Sequence, residues 1–165
     1  MRRGIGLVVL SIAAGLSEPG CRTGVDYIPP EATTKRILVV PDEIAWTDGP
    51  PSLRPGAKMV LLEGDPTKDG FFTMRLLLPD GYRVDPHWHV KAERLTIISG
   101  TLNLGMGDRF DPAAVQALPA GTYSSMPPGM THFGWATGPT VLQLSSIGPW
   151  QVIYVNPADD PRTGR

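Results

Sequence analysis

Beyond Pro55-Gly56, apolar and polar positions alternate in short runs broken by turn-forming residues. Lys58 to Glu63 is the first such run, stopped by Gly64-Asp65-Pro66. Phe71 to Leu78 follows, with Phe72, Met74 and Leu76 on one face and Thr73 and Arg75 on the other. That period of two is the mark of a strand with one face in a core. Pro79-Asp80-Gly81 turns into a strand over Tyr82 to Val90, and Arg94 to Ser99, rich in β-branched residues, runs to a turn at Gly100. Thr101 to Gly105 continues as a short strand. Asp111-Pro112 has the form of a helix start, with room for one short turn before Leu118-Pro119-Ala120-Gly121. Strands are then predicted over Thr122 to Met126, Phe133 to Ala136, Val141 to Ile147 and Gln151 to Val155. Eight or more short strands at this spacing predict an all-β fold, a sandwich or barrel of the jelly-roll type.

The two ends read differently. Met1-Arg2-Arg3 precedes an uncharged apolar run from Gly4 to Leu16, the pattern of a secretory signal and too short to span a bilayer comfortably. A buried strand or helix is the alternative reading of that run. Gly20-Cys21 is similar to the lipidation site of bacterial lipoproteins, while Glu18 and Pro19 depart from it. The expectation is therefore an exported product, periplasmic or secreted, with a lipid anchor on Cys21 as the lesser alternative. The proline-rich stretch from Arg22 to about Arg54 offers one strand, Arg36 to Val40, and a turn at Asp48-Gly49-Pro50-Pro51. The predicted organisation is a signal segment over 1–21, an irregular extension over 22–45, a barrel over 46–156 and a loose polar tail over 157–165.

Composition narrows this picture. At 165 residues the chain suits one domain with a sizeable core. Its 19 glycines and 18 prolines fit strands joined by tight turns. A net charge of −1 supplies no basic footprint, so nucleic acid is not expected as a partner. A single cysteine excludes an intrachain disulfide and any cysteine-rich zinc module.

The candidate chemistry lies in Gly81 to Gly100. His87 and His89 sit two apart, so on a strand they share a face, and Glu93 follows four residues on. Trp88, between them, is assigned to packing on the opposite face. The third and last histidine of the chain is His132, in Gly121-Thr-Tyr-Ser-Ser-Met-Pro127-Pro-Gly129-Met-Thr-His132.

Gly81, five residues, His87-x-His89, three residues, Glu93, six residues, Gly100 resembles the first signature motif of the cupin superfamily. Gly121, five residues, Pro127-x-Gly129, two residues, His132 resembles the second, with Ala136 where an asparagine is usual. With flanking strands the resemblance covers roughly Trp46 to Tyr154. It implies a double-stranded β-helix barrel holding one divalent transition metal through His87, His89, Glu93 and His132. Gly81, Gly100, Gly121 and Gly129 would allow sharp turns, and Pro127 would set the bend that presents His132. Three imidazoles and a carboxylate suit Fe, Mn, Ni, Co, Cu or Zn. Glu93 is read as a ligand first and a catalytic general base second.

The resemblance implies a metal-dependent enzyme on a small molecule, with a dioxygenase ranked first. Lyases, isomerases and decarboxylases of the same superfamily, or a non-enzymatic metal- or ligand-binding or sensing barrel, remain as alternatives. Family analogy adds a homodimer. Pocket-lining roles are weighed against packing for Phe72, Met74, Phe133 and Trp135. For Arg75, substrate steering is weighed against a solvated position, and for Gln143 an inward donor against an outward one.

Overall fold

The computed structural model describes residues 36–163, so the segment expected to be a signal and Cys21 lie outside the described residues. The fold is a jelly-roll barrel of antiparallel strands. Its strands are β1 Thr47–Asp48, β2 Lys58–Glu63, β3 Gly70–Leu78, β4 Arg83–Trp88, β5 Glu93–Met106, β6 Val115–Pro119, β7 Tyr123–Met126, β8 His132–Gly148 and β9 Ile153–Tyr154. Neighbours run in the order β1-β2-β3-β8-β4-β9, while β5 pairs with β6, β7 and β8. No helix among the described residues is long and apolar enough to cross a membrane.

Alternation decides what is buried. Phe72, Met74, Leu76 and Leu78 of β3 point into the core, where they meet Leu95, Ile97, Leu102 and Leu104 of β5 and Leu142 and Leu144 of β8. Each such side chain stabilises the fold by roughly 1.5–3 kcal/mol relative to leaving it in water. The outward residues of β3 pair across to β8: Thr73 Oγ1 with Ser145 Oγ at 2.9 Å, and Arg75 Nε with Gln143 Oε1 at 3.4 Å.

The centre of the fold departs from the sequence-based expectation. Gly100 does not end a strand. β5 runs through it, and β8 likewise joins the two short strands predicted on either side of Gly138. Register between the two strands shifts here, from Ser99 opposite Val141 to Thr101 opposite Thr137. Gly100 and Gly138 both take left-handed backbone, with φ of 76° and 68°, so both strands kink together. Thr140, fully buried, mends the interrupted ladder. Its hydroxyl accepts from the Thr101 N–H at 3.1 Å and lies 3.1 Å from the Gly138 carbonyl. Before the kink β8 pairs with β4, and after it β8 pairs with β3.

Other expectations need correction. Arg36 to Val40 forms no strand: Ile37 and Leu38 are 53% and 67% exposed, and a short 3-10 turn begins at Pro41. Asp111-Pro112 starts a single turn, closed by the Asp111 side chain accepting from the Ala113 N–H at 2.9 Å, and no helix follows. The unpredicted β6 comes next. Its terminal Pro119 is tolerated because β6 is an edge strand, paired only with β5. The tail is not loose over its described part. Arg162 Nη2 donates to the Val152 carbonyl at 2.8 Å and to Asp160 Oδ2 at 2.7 Å. Ala136, in the place of the usual asparagine, exchanges backbone hydrogen bonds with Gly81 and Tyr82, each 3.0 Å.

A Cβ on Gly100 would meet the Pro139 carbonyl oxygen and Thr140 Oγ1 at 2.5 Å, whereas one on Gly121 would meet nothing within 4 Å. Gly121→Ala should therefore cost only the left-handed backbone penalty, roughly 1–2 kcal/mol. Gly100→Ala should cost at least about twice that, because backbone must also move. Urea unfolding midpoints of the two variants test this, and equal losses would remove the kink-packing account.

Candidate metal centre

The four candidate ligands come together at strand ends. His87 of β4 lies directly opposite His132, the first residue of β8, with ring centroids 4.3 Å apart. His89 follows just past the end of β4, its ring 5.0 Å from His87 and 5.3 Å from His132. Glu93 opens β5. All four are buried, between 3% and 6% exposed, while the intervening Trp88 is half-buried.

Two local devices set this geometry. Between Val84 and His87 the register of β4 against β8 slips by one residue, a bulge at Asp85-Pro86 where proline brings no backbone donor. The buried Asp85 carboxylate at the bulge is ion-paired with both Arg54 and Arg83. Pro127-Pro128-Gly129-Met130 forms a turn closed by Met130 N–H to the Pro127 carbonyl at 3.2 Å, with Gly129 at φ 77°, as a type II turn requires. The Gly129 N–H donates to the His89 carbonyl at 2.9 Å, which ties the turn before His132 to the backbone of another candidate ligand.

Each imidazole has its Nδ1 against a backbone carbonyl: His87 to Asp85 O at 2.7 Å, His89 to Gln151 O at 2.7 Å and His132 to Met130 O at 2.9 Å. A carbonyl can only accept, so Nδ1 must donate, and in the neutral ring Nε2 is left as a lone pair. His89 Nε2 lies 3.3 Å from Glu93 Oε1, and His132 Nε2 lies 3.4 Å from Glu93 Oε2. His89 Nε2 is buried without a hydrogen-bond partner. One ligand atom from each of His87, His89 and His132 falls within 4.8 Å of the others. Three lone pairs and a carboxylate therefore converge in a buried space, and only a cation satisfies them together.

The ionisation of the group follows from the same crowding. Burial, with the charges of His132 and His89 beside it, lowers His87 to about 3. Burial works against the charge on Glu93, yet His89 and His132 hold its carboxyl well below the usual range. Burial also pulls His89 down, but the adjacent Glu93 carboxylate more than reverses this and leaves it above an ordinary histidine. A proton between His89 and Glu93, or a divalent metal among all four groups, meets the same need.

A cavity of about 60 Å³ adjoins the cluster and is walled mainly by leucines of β3, β5 and β8, among them Leu76, Leu95, Leu104 and Leu142. Of the six residues considered for its lining, only Phe133 borders it. Even there the ring packs against Phe110 at 5.2 Å, over Gly105, where a Cβ would collide with it. Phe72 and Met74 are core residues, 0% and 1% exposed. Arg75 and Gln143 pair with each other outside the barrel, the outward position for both. Trp135 packs on Phe110 at 5.5 Å, beneath the Arg83 guanidinium that lies 3.6 Å from the Phe110 centroid.

Sequence reading missed Trp150 and the Gln151 carbonyl. Trp150 lies stacked on His89, centroids 5.6 Å apart and planes 17° apart, and it also lines the cavity. A backbone acceptor leaves no mark in a sequence. A tryptophan 61 positions from His89 is brought onto it only by the return of the chain after β8.

Comparison with known proteins agrees with this architecture. No curated protein sequence matches the chain. Among solved structures, the polyketide cyclase RemF from Streptomyces resistomycificus is 20% identical with a TM-score of 0.60, over 77% of this chain and 89% of that one. An acetylacetone dioxygenase from Acinetobacter johnsonii is 17% identical with a TM-score of 0.59, over 78% of this chain and 84% of that one. An RmlC-like cupin from Shewanella frigidimarina is 15% identical with a TM-score of 0.53, over 70% and 94%. At these identities the likeness is one of fold. The profile of the ChrR cupin-like domain, however, matches residues 34–151, and with the barrel and its histidine cluster this places the chain in the ChrR cupin-like family of the cupin superfamily.

Proposed function

We propose that this protein is a metal-dependent dioxygenase of small, neutral, oxygen-bearing substrates, with a 1,3-dicarbonyl as the best-fitting class. The observation that carries the reading is a buried cluster of acceptor groups at one end of a small apolar cavity. His87, His89, His132 and Glu93 would hold the metal, which when bound supplies Lewis acidity toward a carbonyl oxygen and redox capacity toward dioxygen.

The cavity wall argues for the substrate class. Among the residues that line it there is no lysine or arginine, so nothing there would compensate an oxalate-like dianion. A polyhydroxylated sugar would find too few polar partners in a wall made mostly of apolar side chains. Glu93 points the same way. Its basicity is depressed by His89 and His132, so it serves chiefly as a ligand. A proton that it does accept must come from an unusually acidic C–H, such as one between two carbonyls. The likeness of fold to an acetylacetone dioxygenase supports this reading. Export and a homodimer are part of the same proposal.

Oxygen uptake on a panel of β-diketones, flavonols and catechols tests the reaction. The β-diketones should be consumed, a chelator should abolish uptake, and added divalent metal should restore it. Fully metallated protein without uptake on any of the panel would leave a binding or sensing barrel instead. His132→Ala should lower the metal content to roughly a tenth of wild type or less. Glu93→Gln, if it retains metal, should lose about a hundredfold or more in rate, and undiminished activity would withdraw its role as base.

Protonation gives a second check. In metal-stripped protein, unfolded His87 takes up a proton near pH 6.5, whereas the folded residue does so only near 3. Stability should thus fall as pH drops through that window, by about 1.4 kcal/mol per pH unit for this one group. Glu93, also depressed, adds to the loss below its ordinary value of 4.5. His89, raised, works the other way, contributing stability at low pH that disappears as pH rises through its folded value. The net expectation is a thermal midpoint that falls between pH 6.5 and 4.5, with a shallower slope in His87→Gln. An unchanged slope in that variant would mean that His87 is not buried as the neutral ring.

A further inference from the structure

We infer that Trp150 is the donor that orients the ligand in the cavity, its indole N–H binding an oxygen of a neutral molecule held beside the histidine cluster. The inference rests on the proposed function for the identity of that molecule, but on this chain's own atoms for the site. Trp150 Nε1 is buried and has no hydrogen-bond partner. A buried N–H left unpaired forfeits its hydration with nothing in return, so a persistent one points to a missing acceptor. Trp150 lines the cavity, and apart from the candidate ligands His87, His132 and Glu93 every other lining side chain is a leucine, valine, phenylalanine or glycine. The indole is thus the one side-chain donor the wall offers that is not already committed to the ligand cluster.

Its placement is held from several sides. Gly148 passes the 65–68 loop so closely that a Cβ would strike the Lys68 carbonyl oxygen. The Trp150 backbone N–H donates to the Pro66 carbonyl at 2.7 Å. Asp65 stiffens that loop by accepting from the backbone and hydroxyl of Thr67, at 2.9 and 2.7 Å. The indole is then clasped between His89, stacked at 5.6 Å, and Phe72, edge-on at 6.4 Å. The next residue, Gln151, accepts from His89 Nδ1 through its carbonyl. One short segment therefore orients a candidate ligand and carries the free donor, so a molecule with one oxygen toward the cluster and an acceptor toward Trp150 is bound at two points in an otherwise apolar space. Specificity would follow from the N–H, because an isostere without an acceptor there leaves it unpaired.

The test uses full-length protein loaded with zinc, which is redox-silent, and two probes: pentane-2,4-dione and the single-carbonyl pyrrolidin-2-one. Trp150→Phe keeps an aromatic face for His89 while removing the N–H together with part of the ring system. Titration calorimetry should show the dione binding roughly five- to tenfold more weakly to Trp150→Phe than to wild type, with zinc affinity unchanged. In ¹⁵N-labelled wild type, the indole signal missing from Trp150→Phe should move downfield on adding the dione. Equal dione affinity in the variant, an indole signal unmoved by both probes, or a zinc affinity that falls as far as dione affinity would each overturn the inference, the last by reducing Trp150 to a support for His89. Failure of the dicarbonyl reading looks different: pyrrolidin-2-one would move the indole signal and lose affinity in the variant, while the dione would show no advantage over it and no oxygen uptake.

Discussion

The structure turns on the cost of burying four groups that all offer lone pairs. Removing a carboxylate and three imidazoles from water is unfavourable by several kcal/mol unless each finds a partner. The protein supplies those partners on one side only. Every Nδ1 is taken by a backbone carbonyl, and the Nε2 side of His89 and His132 faces Glu93. Orientation and electrostatic need are thus built by the same contacts, and the need is for positive charge at the centre.

The barrel exists in a form that can meet this demand because two strands are long and bent. β5 carries Glu93 at its start and core leucines along its length. β8 carries His132 at its start and then crosses from β4 to β3. The joint kink at Gly100 and Gly138 lets each strand serve both halves of the barrel, so that ligands at strand ends and apolar side chains from strand middles face one space. Asp85 sits at the bulge that aims His87, and its charge is answered by Arg54 and Arg83, so it need not compete for a cation at the cluster.

The contrast between wall and cluster limits the chemistry further. A polar centre in an apolar cavity strengthens every electrostatic interaction within it and leaves few places for a polar substrate to be satisfied. Trp150 is the exception in that wall. Its donor lies on the segment that also fixes His89, so affinity for a ligand and orientation of a metal-binding ring share one piece of backbone.

Much of this was legible in the residues. Alternation over Lys58 to Glu63 and Phe71 to Leu78 marks strands because one face must be dry, and the resemblance of Gly81–Gly100 and Gly121–His132 to the two cupin motifs implied the cluster of His87, His89, Glu93 and His132. The strand expected at Arg36 to Val40 failed, and β6 after the turn at Asp111-Pro112 was missed, because local propensity does not say whether a partner strand lies alongside. Glycine at 100 reads equally as a turn or as a kink inside a strand, and only the close passage of Pro139 and Thr140 selects the kink. The same holds for the pocket. The strand pattern was written in local alternation, and the resemblance of two short motifs carried the family and the histidine cluster. The outward turn of Arg75 and Gln143, the carbonyls that orient the rings, and the return of Trp150 onto His89 were decided by tertiary structure, because each depends on contacts between segments that are distant along the chain.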